Sequence, residues 1–180
     1  MNALRRKAVF LDRDGVINRS LVKDGNPYPP SSVEEVEILP GVPSAIRELK
    51  DAGFLIICVT NQPDVARRTQ NRRTVEAIHK FLLKLLYLDE IMVCYHDDKD
   101  KCQCRKPLPG MLLDAVARFS IVLEESFMVG DRWRDIEAGR RVGCTTVLID
   151  YHYAETERSQ PDARVSSLPE AVDWILNHCK

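Results

Sequence analysis

The chain has 180 residues, 44% of them apolar, which is enough for one well-buried core and too short for two comfortable domains, so one domain over residues 1–180 is expected. Its net charge of −1, from 26 Lys and Arg against 27 Asp and Glu, lacks the global basic signature of a dedicated nucleic-acid binder. No apolar run reaches the ~18 residues that span a bilayer and no signal-peptide core precedes the first strand, so a cytoplasmic chain without membrane contact is expected. A monomer is expected because no long exposed apolar stripe stands out.

In chain order, strand-like runs rich in Val, Ile, Phe and Leu fall at Lys7–Leu11, Leu55–Thr60, Ile91–Cys94, Ser126–Val129 and Thr145–Ile149. Their lack of polar alternation suits strands covered on both faces. Helical patterns lie between and after them at Val42–Ala52, Arg72–Leu86, Gly110–Phe119, Arg134–Val142 and Pro169–Asn177, the first and fourth stopped by Gly53 and Gly143. Strand and helix alternating along the whole chain imply right-handed crossovers and a doubly wound parallel sheet of α/β class. The loop from Asn18 to Pro40 carries Asn26-Pro27-Tyr28-Pro29-Pro30 and reads equally as a lid or a rigid connector. Arg67, Arg68, Arg72, Arg73, Arg132, Arg134, Arg140 and Arg141 read by default as solvated helical faces, and the run Asp97–Lys101 as a solvated loop tip.

Four strand ends carry chemistry. The first strand runs into Asp12-Arg13-Asp14-Gly15, which presents a carboxylate pair where open parallel sheets place their ligands, with a glycine that lets the chain turn sharply. The second ends in Thr60-Asn61-Gln62, a hydroxyl and backbone amides able to hold a phosphoryl oxygen; turn capping explains them equally well in isolation. Lys106, just before Pro107, can neutralise a phosphate as a compact charge. The fourth, Gly130-Asp131-Arg132-Trp133-Arg134-Asp135, brings an acid able to share a cation with Asp12, and Asp135 one helical turn on, suited to an outer supporting role.

The order Asp-x-Asp, Thr, Lys, Gly-Asp-x-x-x-Asp resembles the haloacid dehalogenase superfamily of aspartate-nucleophile phosphohydrolases from Val9 to about Ile149, and Asp14 points to its phosphatase branch. The resemblance implies Asp12 as nucleophile, Asp14 as general acid and then base, and Thr60 and Lys106 on the non-bridging oxygens. It implies Mg²⁺ held by Asp12, the Asp14 carbonyl and Asp131. Arg13, Asn61, Gln62, Arg105 and Arg132 are the expected substrate contacts. Phosphate monoesters hydrolyse so slowly unaided that an acceleration on the order of 10¹⁷ is required, so these groups must act as a set.

Cys94-x-His96 and Cys102-x-Cys104 offer four soft ligands in eleven residues, a closed tetrahedral clip for structural Zn²⁺ in a loop that ends at Arg105-Lys106. Cys58, Cys144 and Cys179 read as packing residues. The zinc clip and the opening Phe10-Leu11-Asp12-Arg13-Asp14-Gly15-Val16-Ile17-Asn18 resemble the subfamily of heptose 1,7-bisphosphate and histidinol-phosphate phosphatases. That implies a small phosphorylated metabolite as partner, a sugar bisphosphate first and histidinol phosphate second. Only 47 residues separate Asp12 from Thr60 and 45 separate Thr60 from Lys106, which leaves no room for a large cap domain.

The chain departs from the heptose enzymes' Thr-Asn-Gln-Ser-Gly, having Pro63-Asp64 in place of Ser-Gly. Proline removes a backbone donor, and the added acid would suit a cationic amine such as that of histidinol phosphate better than a second phosphate. Two further readings stay open on sequence alone, a polynucleotide end-phosphatase and a non-catalytic zinc-stabilised binding module. A receiver domain would give no reason for Asp14 or for the clip.

Overall fold

The computed structural model describes residues 5–23, 26–153, 156 and 158–178. Eight strands and five α-helices follow in the order β1 (Ala8–Leu11), β2 (Leu21–Lys23), β3 (Asn26–Tyr28), α1 (Val42–Asp51), β4 (Leu55–Asn61), α2 (Arg72–Leu86), β5 (Glu90–Cys94), α3 (Gly110–Phe119), β6 (Phe127–Gly130), α4 (Trp133–Arg141), β7 (Thr145–Ile149), β8 (Ala163–Val165) and α5 (Leu168–His178). Six of the strands form one parallel sheet in the order β5-β4-β1-β6-β7-β8. The expected doubly wound sheet is therefore present, with β8 as an edge strand that the sequence reading missed. At three residues, β8 is too short to give a periodic signal.

Successive residues of β1 serve opposite layers, as strand geometry requires. Val9 and Leu11 pack with Ile46 of α1, Ile78 and Leu82 of α2 and Val172 and Ile175 of α5. Ala8 and Phe10 pack on the other face with Met111, Leu112 and Ala115 of α3 and Ala138 of α4. All four β1 residues are fully buried, which is why the strand lacks polar alternation. Truncating Phe10 to alanine would cost about 3–5 kcal/mol, since the two-sided layer cannot collapse into the hole.

The expected helices form within a residue or so of their predicted ends. Asn71 caps α2 by accepting from the Arg73 amide at 2.8 Å. Between Asn18 and Pro40 the chain makes the antiparallel pair β2-β3, and then packs Val33, Val36, Ile38 and Leu39 against the larger core. Its second half is thus a connector, and Tyr28 and Pro29 stand at a cavity over the strand ends. Cys58 and Cys144 are buried, as expected of packing residues; Cys179 lies outside the described residues. Among the described residues no helix is long and apolar enough to cross a membrane.

Candidate active site

Because β4, β1 and β6 are adjacent and parallel, Thr60, Asp12 and Asp131 emerge on one rim of the sheet. The Asp12 amide donates to the Val129 carbonyl at 2.9 Å, which ties the first acid to β6. Lys106 arrives from the loop after β5, almost completely buried. Its Nζ donates to Asp12 Oδ1 and the Val59 carbonyl at 2.6 Å each, and lies 2.6 Å from Asp135 Oδ1. Asn61 fixes the lysine backbone from both sides: its Nδ2 donates to the Lys106 carbonyl at 3.0 Å and its Oδ1 accepts from the Lys106 amide at 3.0 Å.

Asp12, Asp131 and Asp135 each place a carboxylate oxygen within 4.8 Å of the others. Both Asp131 oxygens are buried with no partner at ordinary hydrogen-bond length, the Tyr153 hydroxyl being near enough to favour the charged form. Burial lifts the Asp12 carboxyl to about 6 despite the Lys106 charge beside it, with Asp135 adding to the rise. Burial and the Asp12 and Asp135 charges push Asp131 well above the usual carboxylate range. For Lys106, burial disfavours the charge, but the two carboxylates outweigh it and raise its pKa. One ammonium among three buried carboxylates leaves an excess of negative charge, and buried oxygens short of partners are what a hard divalent cation takes as ligands. The residues therefore fit Mg²⁺. Asp135 accepts from the Arg132 amide at 3.1 Å as well as meeting Lys106, so both its oxygens are engaged and it supports the cluster from outside.

Two glycines allow this crowding. A β-carbon on Gly15, whose φ is +91°, would collide with the Asp131 carboxylate, and one on Gly130 would collide with Asp135.

Asp14 lines the same cavity but is not one of the three clustered acids. It accepts from Asn18 Nδ2 at 2.8 Å, from Gln62 Nε2 at 3.0 Å, and from Arg13 NH2 at 2.7 Å and Nε at 3.1 Å. Gln62 Nε2 also meets Thr60 Oγ1 at 2.9 Å, so the second strand end positions the first. Arg13 corrects the sequence reading. It is fully buried and absent from the cavity wall, because its guanidinium is used inside the protein.

The cavity holds about 300 Å³ and is walled by the acids and Lys106, by Thr60, Asn61 and Gln62, and by the cations Arg67, Arg105, Arg132 and Arg134. Arg105 and Arg132 are thus where substrate contacts are expected, and the default of solvated helical faces fails for Arg67, Arg132 and Arg134. Arg67 lies in the turns after β4 rather than in a helix. The acidic run is also more than a solvated tip. It forms one turn of 3₁₀ helix, Asp98–Asp100, capped by Asp97. Asp97 accepts from Arg67 at 2.8 Å, while Asp98 accepts from Arg105 at 2.8 Å and from Arg134 at 3.3 Å. Only Arg105 is near these acids in sequence, seven residues from Asp98; Arg67 and Arg134 are 30 and 36 residues from their partners, so the sequence carried no signal for them. Asp64 lines the cavity but faces the Arg67 guanidinium at 3.5 Å, which offsets its charge toward an anionic substrate.

Behind Arg105, Cys94, His96, Cys102 and Cys104 close into one cluster. The Cys94 sulfur lies 3.7 Å from His96 Nδ1 and from the Cys102 sulfur, and Cys104 lies 3.3 Å from His96 Nδ1 and 3.5 Å from Cys102. The Cys94 and Cys104 sulfurs lie 3.1 Å apart; with Zn–S bonds of about 2.3 Å a tetrahedron has edges of roughly 3.7 Å, so the four-donor set suits structural zinc, the Cys94–Cys104 pair being shorter than that edge. Burial, with the Cys104 sulfur beside it, raises the Cys94 thiol, a cost that a thiolate-binding ion removes.

Comparison with known proteins bears directly on this arrangement. A family model described as "HAD-hyrolase-like" matches residues 103–171. The D-glycero-β-D-manno-heptose-1,7-bisphosphate 7-phosphatase of Bordetella bronchiseptica is 36% identical over 171 residues, covering 92% of this chain and 90% of the relative. The D-glycero-D-manno-heptose-1,7-bisphosphate 7-phosphatase of Thermosynechococcus vestitus is 33% identical over 196 residues, covering 96% and 97%. The crystal structure of the D,D-heptose 1,7-bisphosphate phosphatase from B. bronchiseptica, complexed with magnesium and phosphate, superposes with a TM-score of 0.83 at 31% identity over 96% of this chain and 99% of that one. With nucleophile-type, metal-type and lysine positions converging on one rim and relatives matching end to end, this chain belongs to the haloacid dehalogenase-like phosphatases, in the family of the heptose bisphosphate phosphatases.

Proposed function

We propose that the chain is a single-domain, Mg²⁺-dependent phosphomonoester hydrolase that removes the 7-phosphate from D-glycero-β-D-manno-heptose 1,7-bisphosphate through an aspartyl-phosphate. The observation that carries the chemistry is Lys106 holding Asp12 Oδ1 at 2.6 Å beside an Asp131 whose buried oxygens have no partner at ordinary hydrogen-bond length. Asp12, Asp131 and the Asp14 backbone carbonyl would hold the ion, which when bound lowers the repulsion between an anionic nucleophile and an anionic ester.

Lys106 engages Oδ1 of Asp12; the Asp12 carboxylate attacks phosphorus and displaces the sugar alkoxide. Asp14 must carry a proton when substrate binds; it gives that proton to the departing alkoxide and recovers one from the water that opens the aspartyl-phosphate. Thr60 and Lys106 meet the non-bridging oxygens. Arg67, Arg105, Arg132 and Arg134 line the outer wall; Asp64, Asp97 and Asp98 pair with three of them, which offsets most of their charge but holds guanidinium groups where a second phosphate could meet them. The relatives' names support the heptose substrate. The Arg67–Asp64 contact removes much of the reason to prefer histidinol phosphate.

The test is kcat/KM with Mg²⁺ for the heptose bisphosphate, histidinol phosphate and a 3′-phosphorylated oligonucleotide, with phosphorus NMR to show which sugar phosphate leaves. The bisphosphate should lead and lose its 7-phosphate. Preference for histidinol phosphate, or release from carbon 1, would overturn the substrate. Turnover undiminished in Asp12→Asn would overturn the mechanism and favour a binding module.

A further inference from the structure

Arg13 is a buried guanidinium that never reaches substrate. Its Nε and NH2 grip the two Asp14 oxygens, and its NH1 lies 3.1 Å from Nε2 of His79, in the second turn of α2. A buried guanidinium must have its donors satisfied, and arginine can only donate. His79 Nε2 is therefore the acceptor, and the ring proton sits on Nδ1. Burial and the adjacent Arg13 charge push the imidazole down to about 3, which keeps it neutral and able to accept. Asn18 and Gln62 complete the set of groups around Asp14.

We propose that His79 is a positioning residue for proton transfer: by anchoring Arg13 NH1 it fixes the fork that aims the Asp14 carboxylate, coupling α2 to the acid–base step. The inference rests on the reading of Asp14 as acid and base. Without the imidazole, NH1 is left buried and unsatisfied, and the guanidinium turns toward another acceptor at the expense of its two-oxygen grip. Displacing a reacting group by ~1 Å is enough to cost on the order of 100-fold.

Leaving-group dependence separates this role from a structural one. A sugar alkoxide needs a proton as it departs, whereas p-nitrophenolate does not, and kcat/KM reports the steps through that departure. His79→Leu should lower kcat/KM for the heptose bisphosphate by about tenfold or more with KM little changed, and for p-nitrophenyl phosphate by less than about threefold. His79→Gln, which keeps an acceptor, should restore most of the loss. Arg13→Lys, which cannot bridge two oxygens, should reproduce the selective loss and serves if His79→Leu does not fold. Asp14→Asn is the control. If it is selective for the alkyl ester while His79→Leu and Arg13→Lys lower both substrates equally or not at all, the role of His79 is overturned. If Asp14→Asn itself lowers both equally, the acid reading falls, and this inference with it.

Discussion

The two ion-binding clusters of this molecule are built on opposite plans. The sulfur cluster draws all four ligands from eleven consecutive residues, Cys94 to Cys104, and has no further protein position to fill. The carboxylate cluster draws Asp12 from β1 and Asp131 and Asp135 from beyond β6, more than a hundred residues apart, and it opens on a cavity. A closed local clip suits structure; an open site assembled by the sheet suits reaction. Lys106 joins them, since the loop that the clip shapes delivers the ammonium to Asp12.

The contrast predicts graded consequences. The largest belongs to the open cluster: Asp12→Asn should reduce kcat on the order of 10³-fold or more while the chain stays folded, as read by steady-state kinetics beside a melting curve. Near-normal turnover would break the assignment of the two clusters to separate tasks.

Damage to the closed cluster should register first as stability. Cys104→Ser, or strong chelation, should reduce zinc from about one ion per chain by elemental analysis and lower the melting temperature by roughly 5 °C or more, with activity falling as Arg105 and Lys106 lose their anchor. Full stability without zinc would show that the clip is incidental.

The acids make the opposite prediction for a subtraction. The raised Asp12 and Asp131 pKa values mean that the metal-free native state holds protons which the unfolded chain releases between about pH 4 and the Asp12 value of about 6. The native state binds more protons in that window, so this contribution to stability falls as pH rises through it. Magnesium binds the ionised acids, so its thermal shift should grow over the same window. Asp131→Asn should raise the metal-free melting temperature at pH 7 by a few degrees, about 1 kcal/mol, and abolish the magnesium shift. A mutant that melts lower, or keeps the shift, would contradict the crowded-carboxylate account.

The smallest effect is expected on the outer wall. Arg67→Ala should raise KM for the bisphosphate by about three- to tenfold with kcat little changed, and should affect a monophosphate less. Equal effects on both would remove Arg67 from the second-phosphate wall.

Much of this was legible before folding. Apolar runs without alternation announced two-sided strands, glycines after helical patterns announced their ends, and the clip's spacing announced its ligands, because each is a local property of the chain. Motif order also placed Asp12, Thr60, Lys106 and Asp131 in one site, since parallel strands share a rim. The sequence could not show that Arg13 points inward, that the acidic turn at Asp97 and Asp98 turns three arginines toward one wall, or that His79 of α2 lies within reach of Arg13. Those facts depend on which distant side chains become neighbours when β4 lies beside β1 and α2 packs across them. A buried charge takes whatever partner the tertiary structure brings within hydrogen-bonding distance, and no local pattern encodes that partner.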